Sequence, residues 1–344
     1  MAEANRLVAN LMKPDPKIYW PDFLLSISLG WAGFALALYN PWTSWQGVIG
    51  VIVATFALYR AVLFTHELTH LKAGTFKAFR FVWNLLCGFA LLIPAFTYHG
   101  VHRHHHVHDV YGTKEDGEYL PFGAGNPFGI IGYMFLIFIL PSFFVLRFMV
   151  LGPLSWVFPP LRQAVWSSMS SLTIDLAYVR PMPKQSDPKL LWFAQEFMAA
   201  VYGWGAVILV VVGVLPVKAL ALWYIIAIFI FLLNSLRTLA AHAYRNPGAE
   251  QMSVAEQFLD SVDVPGHPVL TTLWAPVGLR FHATHHLYPR MPYHNLPKAY
   301  KALRDGLGDN SIYLQASRTS LVNALARLWQ DAANADRKAK AQKQ

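Results

Sequence analysis

Long apolar stretches dominate this chain and predict membrane-spanning helices. Four stretches come close to the roughly 20 apolar residues that a helix needs to cross a bilayer. They cover residues 23–38, 48–64, 197–215 and 219–239 and pair into two hairpins with the short connectors YNPWTSWQG and PVK. Two further stretches, 81–96 and 130–150, are ambiguous, because the first is short and contains Pro94 and the second is interrupted by Pro141.

The polar positions between these stretches predict an orientation. The first connector contains no Lys or Arg and the second contains only Lys218, whereas the N-terminus, residues 147–189 and the chain after Arg237 are rich in basic residues. Basic residues accumulate on the cytoplasmic side of a membrane. The pattern therefore predicts external connectors and two cytoplasmic termini.

The composition agrees with an integral membrane protein. Of the 344 residues, 55% are hydrophobic and 14% are charged, whereas about 25% of residues are charged in an average soluble domain. The single cysteine, Cys87, excludes an internal disulfide, a cysteine-based zinc finger and a four-cysteine iron–sulfur cluster. The net charge of +9 is interpreted as a signal of topology and of contact with lipid headgroups, because no nucleic-acid-binding signature accompanies it.

Histidines form three spaced clusters. The first is His66 and His70 in HELTH, and the second is His102, His105 and His106 in VHRHHHVHD. The third, His282, His285 and His286 in FHATHHLYP, repeats the i, i+3, i+4 spacing of the second. Such spacing places side chains on one face of a helix.

The three clusters limit the number of membrane crossings if they share one site, because an even number of crossings must then separate each pair. Four spans satisfy this condition if stretches 81–96 and 130–150 lie in the interface or re-enter the membrane. Six spans violate it between the first two clusters. The sequence therefore predicts four transmembrane helices in two hairpins.

Eight imidazoles exceed the need of one metal, since a catalytic zinc takes three protein ligands. Two irons with four or five nitrogen ligands each account for the number, although imidazole binds iron, copper, nickel and zinc alike. The alternative is that the histidines are interfacial side chains paired with headgroups or carbonyls. Three spaced clusters favour a metal site, because ionisable residues near a membrane core are functional candidates.

The combined pattern H-x3-H, H-x2-H-H, H-x2-H-H resembles that of the membrane fatty acid desaturase superfamily, which includes related hydroxylases. The resemblance runs from about His66 to Leu296, and HATHHLYPRMPYHNLP is similar to the third histidine box of bacterial acyl desaturases. It implies an all-α membrane protein with four spans, interfacial helices and a cytoplasmic, histidine-rich cap. It also implies a centre of two non-haem irons that activates O2 above a membrane-buried acyl channel.

The resemblance implies a ninth ligand on the last span, for which His242 in NSLRTLAAHAY is the candidate. The related desaturases often carry Asn four residues earlier, where this chain has Thr238, and Asn234 is the possible substitute through a water. The role of His99, His104, His108 and His294 in metal binding stays open, and His267 is expected to be structural. Carboxylates often orient metal-bound imidazoles, and the candidates for this role are Asp109, Glu115, Asp116 and Glu118.

The leading functional hypothesis is O2-dependent oxidation of a fatty acyl chain, most simply desaturation. A hydroxylase and a decarboxylase that forms a terminal alkene use the same histidine pattern and remain alternatives. From another class, HELTH matches the H-E-x-x-H signature of zinc metalloproteases. We expect no protease, because N-x-x-P and L-D-G signatures are missing and FLD at 258–260 is followed by Ser. A transporter or metal-storage protein is a more distant alternative.

Electrons must come from outside, because the chain contains no Gly-rich dinucleotide motif and no cluster-binding cysteines. We predict an acidic ferredoxin, rubredoxin or cytochrome, supplied by its own reductase. The expected location is a bacterial inner membrane with a cytoplasmic active site. Residues 1–300 are predicted to form the membrane domain and its cap, and residues 301–344 a cytoplasmic C-terminal helix with a basic tail.

Overall fold

The computed structural model describes residues 1–72, 74–248, 250–308 and 311–342. All regular elements of the described residues are helices, and no β-strand occurs among them, so the all-α class is confirmed for these residues. Residues 309–310 and 343–344, which belong to the predicted C-terminal segment, lie outside the described residues. The chain divides into two compact units, one of residues 19–101 and 135–232 and the other of residues 1–18, 102–134 and 233–344. The boundary at residue 301 stays a prediction.

Five helices of the described ranges are long and apolar enough to cross a membrane. They are Pro16–Leu38, Trp45–His70, Leu140–Val157, Lys189–Val211 and Lys218–Ala241. Four of them correspond to the predicted spans. Three extend beyond the predicted ends, whereas Lys189–Val211 begins and ends earlier than the predicted span 197–215. The ambiguous stretch 81–96 forms the short helices Lys77–Trp83 and Asn84–Gly88 followed by turns. The chain is thus an integral membrane protein, and the count of four spans stays a prediction beside a fifth candidate.

The fifth candidate combines an apolar surface with one charged side chain. Arg147 lies fully buried in the π-helical turn Leu146–Leu151. Its guanidinium donates to Glu196 Oε1 at 2.5 Å, and Arg162 donates to Glu196 Oε2 at 2.6 Å. A charge in a low-dielectric environment is costly unless it is paired. The ion pair explains how this apolar helix accommodates an arginine.

Glycines allow the first two long helices to pack closely. A Cβ atom on Gly33 would lie 2.9 Å from the carbonyl oxygen of Gly50, and a Cβ on Gly50 would lie 2.7 Å from that of Gly33. Small residues at such a crossing let two backbones approach each other in a membrane. Asp22 also accepts a hydrogen bond from Arg60 Nε at 2.7 Å. The predicted first hairpin is therefore held by close packing and by a half-buried polar contact.

Indole N–H groups of the same unit bind carbonyl oxygens that irregular helices leave available. Trp31 donates to Leu86 O at 3.0 Å and Trp204 donates to Met149 O at 2.9 Å. Both acceptors lie in π-helical turns, Asn84–Gly88 and Leu146–Leu151. A backbone carbonyl without a partner is costly in the hydrocarbon region, so these indoles stabilise the irregular segments.

The first unit also contains helix Pro159–Met169, and the other unit contains mostly shorter helices. Besides the end of Lys218–Ala241, its longer elements are Ala2–Val8, Phe128–Phe135, Val254–Asp260, Leu270–Trp274, His282–Leu287, Leu296–Gly306 and Leu321–Ala341. Helix Ala2–Val8 packs through Ala4 and Val8 on the apolar face of Leu296–Gly306. Helix Leu321–Ala341 packs through Ala324 on Ala240, Val262 and Val264.

A short extended segment around Asp263 joins three parts of this unit. Ser261 forms an antiparallel bridge with His242, and Asp263 forms bridges with Phe281 and Ser317. Val262 N donates to Ala241 O at 2.8 Å, and Val264 N donates to Arg280 O at 2.7 Å. This segment therefore fixes the backbone before His282 relative to the backbone at His242.

Candidate metal centre

Seven histidines of the described part of one unit converge. Helix Phe96–His105 and the residue after it carry His102, His105 and His106, and His242 directly follows helix Lys218–Ala241. Helix His282–Leu287 carries the other three, His282, His285 and His286. All seven are buried or half-buried. The second and third predicted clusters therefore come together with the predicted ninth ligand.

The seven side chains form two groups. His102, His106 and His285 belong to one group, and His105, His242, His282 and His286 belong to the other, with the potential ligand atoms of each group within 4.8 Å of one another. In each H-x2-H-H motif the first and last histidines enter the same group and the middle one enters the other. His102 and His106 therefore contribute two nitrogens to the group that contains His285. His282 and His286 contribute two nitrogens to the group that contains His105 and His242.

The Nε2 atoms point towards one another in both groups. His242 Nε2 and His282 Nε2 are 2.9 Å apart, and His286 Nε2 lies 3.1 Å from His282 Nε2. In the other group His285 Nε2 and His106 Nε2 are 3.3 Å apart. An imidazole nitrogen with a lone pair is a metal ligand, so such convergence is the arrangement that a metal site requires.

Carboxylates orient two of these rings from behind. His105 Nδ1 lies 2.8 Å from Asp116 Oδ2, and His102 Nδ1 lies 3.0 Å from Glu118 Oε2. Because an ionised carboxylate accepts and does not donate, each Nδ1 carries a proton, and Nε2 is the nitrogen that offers a lone pair in the neutral ring. Of the four carboxylates considered from the sequence, Asp116 and Glu118 occupy this position. Asp109 instead contacts the exposed His108 at 3.0 Å.

His242 is oriented by a phenol. Its Nδ1 lies 2.8 Å from the hydroxyl oxygen of Tyr111, and this hydroxyl donates to Asp260 Oδ2 at 3.0 Å. The Tyr111 oxygen therefore accepts the Nδ1 proton of His242, which leaves Nε2 as the ligand atom. Asn234, the expected substitute partner, accepts a hydrogen bond from Arg237 at 3.3 Å, and Thr238 accepts one from the same guanidinium at 2.9 Å.

The loop after the second cluster lies close to the backbone that follows His242. Gly112 has a φ of +72°, which favours glycine, and its N–H donates to Asp116 Oδ2 at 2.9 Å. A Cβ on Gly123 would lie 2.2 Å from the carbonyl oxygen of Ala243. This close approach places Tyr111 beside His242.

Burial and neighbouring charges shift the pKa values of these groups. Burial lowers the pKa of His285 to about 3 and holds the pKa of His242 well below its usual range. For His105 burial acts in the same direction, but the carboxylate of Asp116 raises its pKa above the ordinary value. Neutral imidazole binds metal, so the ring environments of His242 and His285 favour the ligating form.

His66 and His70 belong to the other unit and lie in the last turn of helix Trp45–His70. His66 is buried and its ring centroid is 5.0 Å from that of His70. Glu67, the base of a protease reading, is 3% exposed and accepts a hydrogen bond from the Tyr19 hydroxyl at 2.5 Å. Its carboxylate therefore joins two helices.

The remaining histidines lie outside both groups. His267 Nδ1 accepts the backbone N–H of Val269 at 3.3 Å, which is the structural role expected for it. His294 Nε2 accepts the backbone N–H of Asp15 at 3.3 Å. His99 and His104 are half-buried and belong to neither group.

Sequence reasoning missed several residues that shape the centre. Asp260 accepts hydrogen bonds from Tyr111, Tyr119 and the backbone N–H of Arg245, each at 3.0 Å. Asp263 accepts from the backbone N–H of Thr284 at 3.0 Å, which fixes the helix that carries the third cluster. In the sequence, Asp260 is distinctive only within FLD, as a mismatch to a protease signature. Nothing local in the sequence indicates its partners, which are distant in the chain.

Known proteins share the pattern of this chain. A sequence model of the family described as fatty acid desaturase matches residues 40–318. A protein of Caulobacter vibrioides (strain NA1000 / CB15N) described as a ceramide hydroxylase is 38% identical over 327 residues, which cover 95% of this chain and 92% of the relative. The range matched by the family model includes all nine candidate histidines.

Proposed function

Because the chain belongs to the fatty acid desaturase family, it is a membrane oxidoreductase that acts on a lipid acyl chain, and we propose that it hydroxylates the acyl chain of a ceramide or a related amide-linked lipid. The proposed oxidant is O2, and the proposed cofactor is a pair of non-haem irons. The similarity to a ceramide hydroxylase over 95% of the chain carries this choice of reaction.

The ligands in the proposal are the nine histidines. His105, His242, His282 and His286 bind one iron, His102, His106 and His285 bind the other, and His66 and His70 complete the set of nine. The inclusion of the last two rests on the three-part sequence pattern and on their place in the final turn of a long apolar helix. The donors are imidazole nitrogens without a thiolate, a set that iron accepts.

The iron supplies the activation of O2 that an unactivated C–H bond requires. The protein orients the imidazoles through Asp116, Glu118 and Tyr111, whose contacts hold Nε2 towards the metal. Such outer partners change metal affinity or activity by about 10–100-fold when they are removed.

Desaturation is the second candidate. The family model supports it, and the sequence pattern favoured it. The two reactions begin with removal of the same kind of hydrogen and differ in the product, an alcohol when oxygen is transferred and an alkene when a second hydrogen is lost. A decarboxylase requires a free fatty acid, which an amide-linked lipid does not provide.

Products from labelled dioxygen distinguish these reactions. The purified, iron-loaded protein is reconstituted in lipid nanodiscs with a ceramide, reduced with dithionite and exposed to 18O2, and the lipids are analysed by mass spectrometry. Hydroxylation incorporates one labelled oxygen atom into the acyl chain. A new double bond without label assigns desaturation instead. If neither product forms from a ceramide or another acyl lipid, the proposed oxidation of an acyl chain is wrong.

Two histidine variants complete this experiment. We expect His105→Ala to abolish product and to lower the iron content. His267→Ala, which alters a histidine outside both groups, should retain both. Loss of product in both variants would point to a general effect of the purification and not to the centre.

The orientation follows the sequence prediction and is part of the proposal. Both termini and the metal centre face the cytoplasm of a bacterium, with the protein in the inner membrane. The electron source is an acidic one-electron carrier and its reductase. The basic residues after Arg237 support this orientation.

A further inference from the structure

A small surface pocket lies beside the backbone that holds His242. The charged residues that line it are Arg245, Arg318, Arg327 and Asp331, and its apolar wall includes Val262 and Leu328. His242 also contributes to the lining. The pocket therefore connects the protein surface to one of the proposed metal ligands.

Positive charge dominates this pocket. Its three arginines face a single carboxylate, since Asp331 pairs with Arg245 at 3.0 Å. Arg318 is 8% exposed and donates to the carbonyl oxygens of Gln315 and Ser317 at 3.1 and 2.9 Å. These contacts are to neutral acceptors, so the charge of Arg318 adds to the field at the surface.

The positive surface extends along helix Leu321–Ala341. Arg327, Asp331 and Lys338 share a face of this helix by their spacing of four and seven residues, and Arg327 and Lys338 are exposed. We name the surface formed by Arg245, Arg318, Arg327 and Lys338 the arginine patch. The neighbouring side chains Ala324 and Leu328 of the same helix are buried, so the helix presents these charges on a fixed support.

A short chain of hydrogen bonds joins the patch to the metal centre. Arg245 N donates to Asp260 Oδ1 at 3.0 Å, and Asp260 Oδ2 accepts from Tyr111. The Tyr111 oxygen lies 2.8 Å from His242 Nδ1. In addition, His242 and Ser261 are bridged through the backbone. Covalent bonds and hydrogen bonds thus connect Arg245 of the patch to His242, the proposed metal ligand, without a gap longer than a hydrogen bond.

We propose that the arginine patch is the docking surface of an acidic one-electron carrier protein, which passes its electrons to the metal centre by way of His242. The inference rests on the proposed function, because it assigns the place where that reaction receives electrons. Two docking events deliver two electrons. With two protons and O2, one oxygen atom enters the lipid C–H bond and the other leaves as water.

Electrostatic complementarity is the recognition that this surface offers. Opposite charges on two partners raise the association rate and fix the docked orientation, and redox encounters use small interfaces below about 1,200 Å². A carrier with a surface of Asp and Glu side chains around its redox group would meet the patch. The interaction should weaken as salt screens the charges.

Steady-state kinetics with a plant-type ferredoxin, reduced by its reductase, test the proposal. In the double variant Arg327→Glu with Lys338→Glu we expect the KM for reduced ferredoxin to rise about tenfold at low ionic strength, since reversed charges repel the carrier. The control is Lys298→Glu with Lys301→Glu, which makes the same change in net charge on exposed residues of helix Leu296–Gly306. It should leave the KM unchanged.

A variant that is expected to lower the KM for ferredoxin excludes a folding defect as the explanation. Asp331→Asn removes the only carboxylate of the pocket and should lower the KM for ferredoxin. Single turnover driven by dithionite bypasses docking and should be the same in all these variants. No product with dithionite in the unaltered protein would contradict the proposed function, whereas product with dithionite and an unchanged ferredoxin KM would contradict only the docking surface.

Three further results would overturn the arginine patch as the docking surface of the carrier. An equal rise of KM in the control variant would show an effect of net charge and overturn the patch as a specific surface. Inorganic phosphate that binds the pocket while the ferredoxin KM stays unaffected by the double variant would identify a small-anion site. Activity that follows the fraction of anionic lipid in the nanodisc, with the same ferredoxin KM, would identify a headgroup surface.

Discussion

The hydroxyl oxygen of Tyr111 lies 2.8 Å from Nδ1 of His242 and at the same time donates to Asp260 at 3.0 Å. The two contacts fix the direction of the hydrogen bond, because a phenol has one proton and gives it to the carboxylate. His242 must therefore donate from Nδ1 and present Nε2 to the cluster of histidines. A residue without any metal-binding group thus determines which nitrogen His242 offers.

We expect Tyr111→Phe to reduce iron affinity or product formation by about 10–100-fold, because the removed hydroxyl orients a metal ligand. The phenyl ring preserves the packing, so the loss should arise from the hydrogen bond. Iron content and single-turnover product report the effect. Tyr300→Phe is the matched control, since the hydroxyl of Tyr300 contacts Ser317 Oγ at a distance of 3.3 Å and neither residue belongs to the centre. Full iron occupancy and activity in Tyr111→Phe would refute this role.

The division of the two H-x2-H-H motifs predicts which variants resemble each other. His105→Ala and His282→Ala alter the same group, whereas His102→Ala alters the other, although His102 and His105 are three residues apart. Each variant should lose one of the two proposed irons, because it removes a ligand from only one group. Mössbauer spectra of 57Fe-loaded protein should show loss of the same component in His105→Ala and His282→Ala and of the other component in His102→Ala. Variants that pair by sequence motif instead would contradict the grouping.

The fifth apolar helix leads to a test of topology. The basic residues near both termini and their near absence from the two short connectors favour four crossings, with both termini on one side. Single cysteines at Ala2, Gln342 and the connector residue Thr43 can be labelled with an impermeant maleimide in oriented membranes, because Cys87 is buried. The two terminal sites should react from the same side and Thr43 from the other. Termini that react from opposite sides would establish five crossings.

We predict that the buried carboxyl of Asp263 makes the free energy of unfolding depend on pH. Burial raises the pKa of its carboxyl from 3.8 to about 7, so the folded protein holds a proton that the unfolded chain releases. The resulting stabilisation is complete below the unfolded pKa, declines as the pH rises above about 4, and is lost as the pH passes about 7. Thermal unfolding of the metal-free protein in detergent should show this decline between pH 5 and pH 8.

Asp263→Asn removes the titration and should flatten that profile, because an amide carries no ionisable proton. Its side-chain oxygen can still accept the hydrogen bond from Thr284 N. Glu250→Gln, a change at an exposed carboxyl, serves as control and should keep the slope of the unaltered protein. A profile of Asp263→Asn parallel to that of the unaltered protein would assign the pH dependence to another group.

Local patterns were sufficient for a large part of the structure. Hydropathy placed four of the long helices, since apolar side chains favour a helix in lipid wherever they occur in sequence. The spacing of the histidines identified the three clusters and, with His242, a set of nine candidate ligands. The family match agrees with that pattern. These features are local because helical periodicity depends on neighbours only three and four residues away.

The sequence alone determined the apolar helices, the histidine pattern and the absence of a cysteine-based centre. Only the tertiary structure decided how the motifs divide into two groups, and which of several carboxylates stand behind the imidazoles. Asp260 shows the physical reason: its partner Tyr111 is 149 residues away in the chain. A buried polar group needs a partner, but the chain reaches that partner through its fold, and no local pattern records which one it meets.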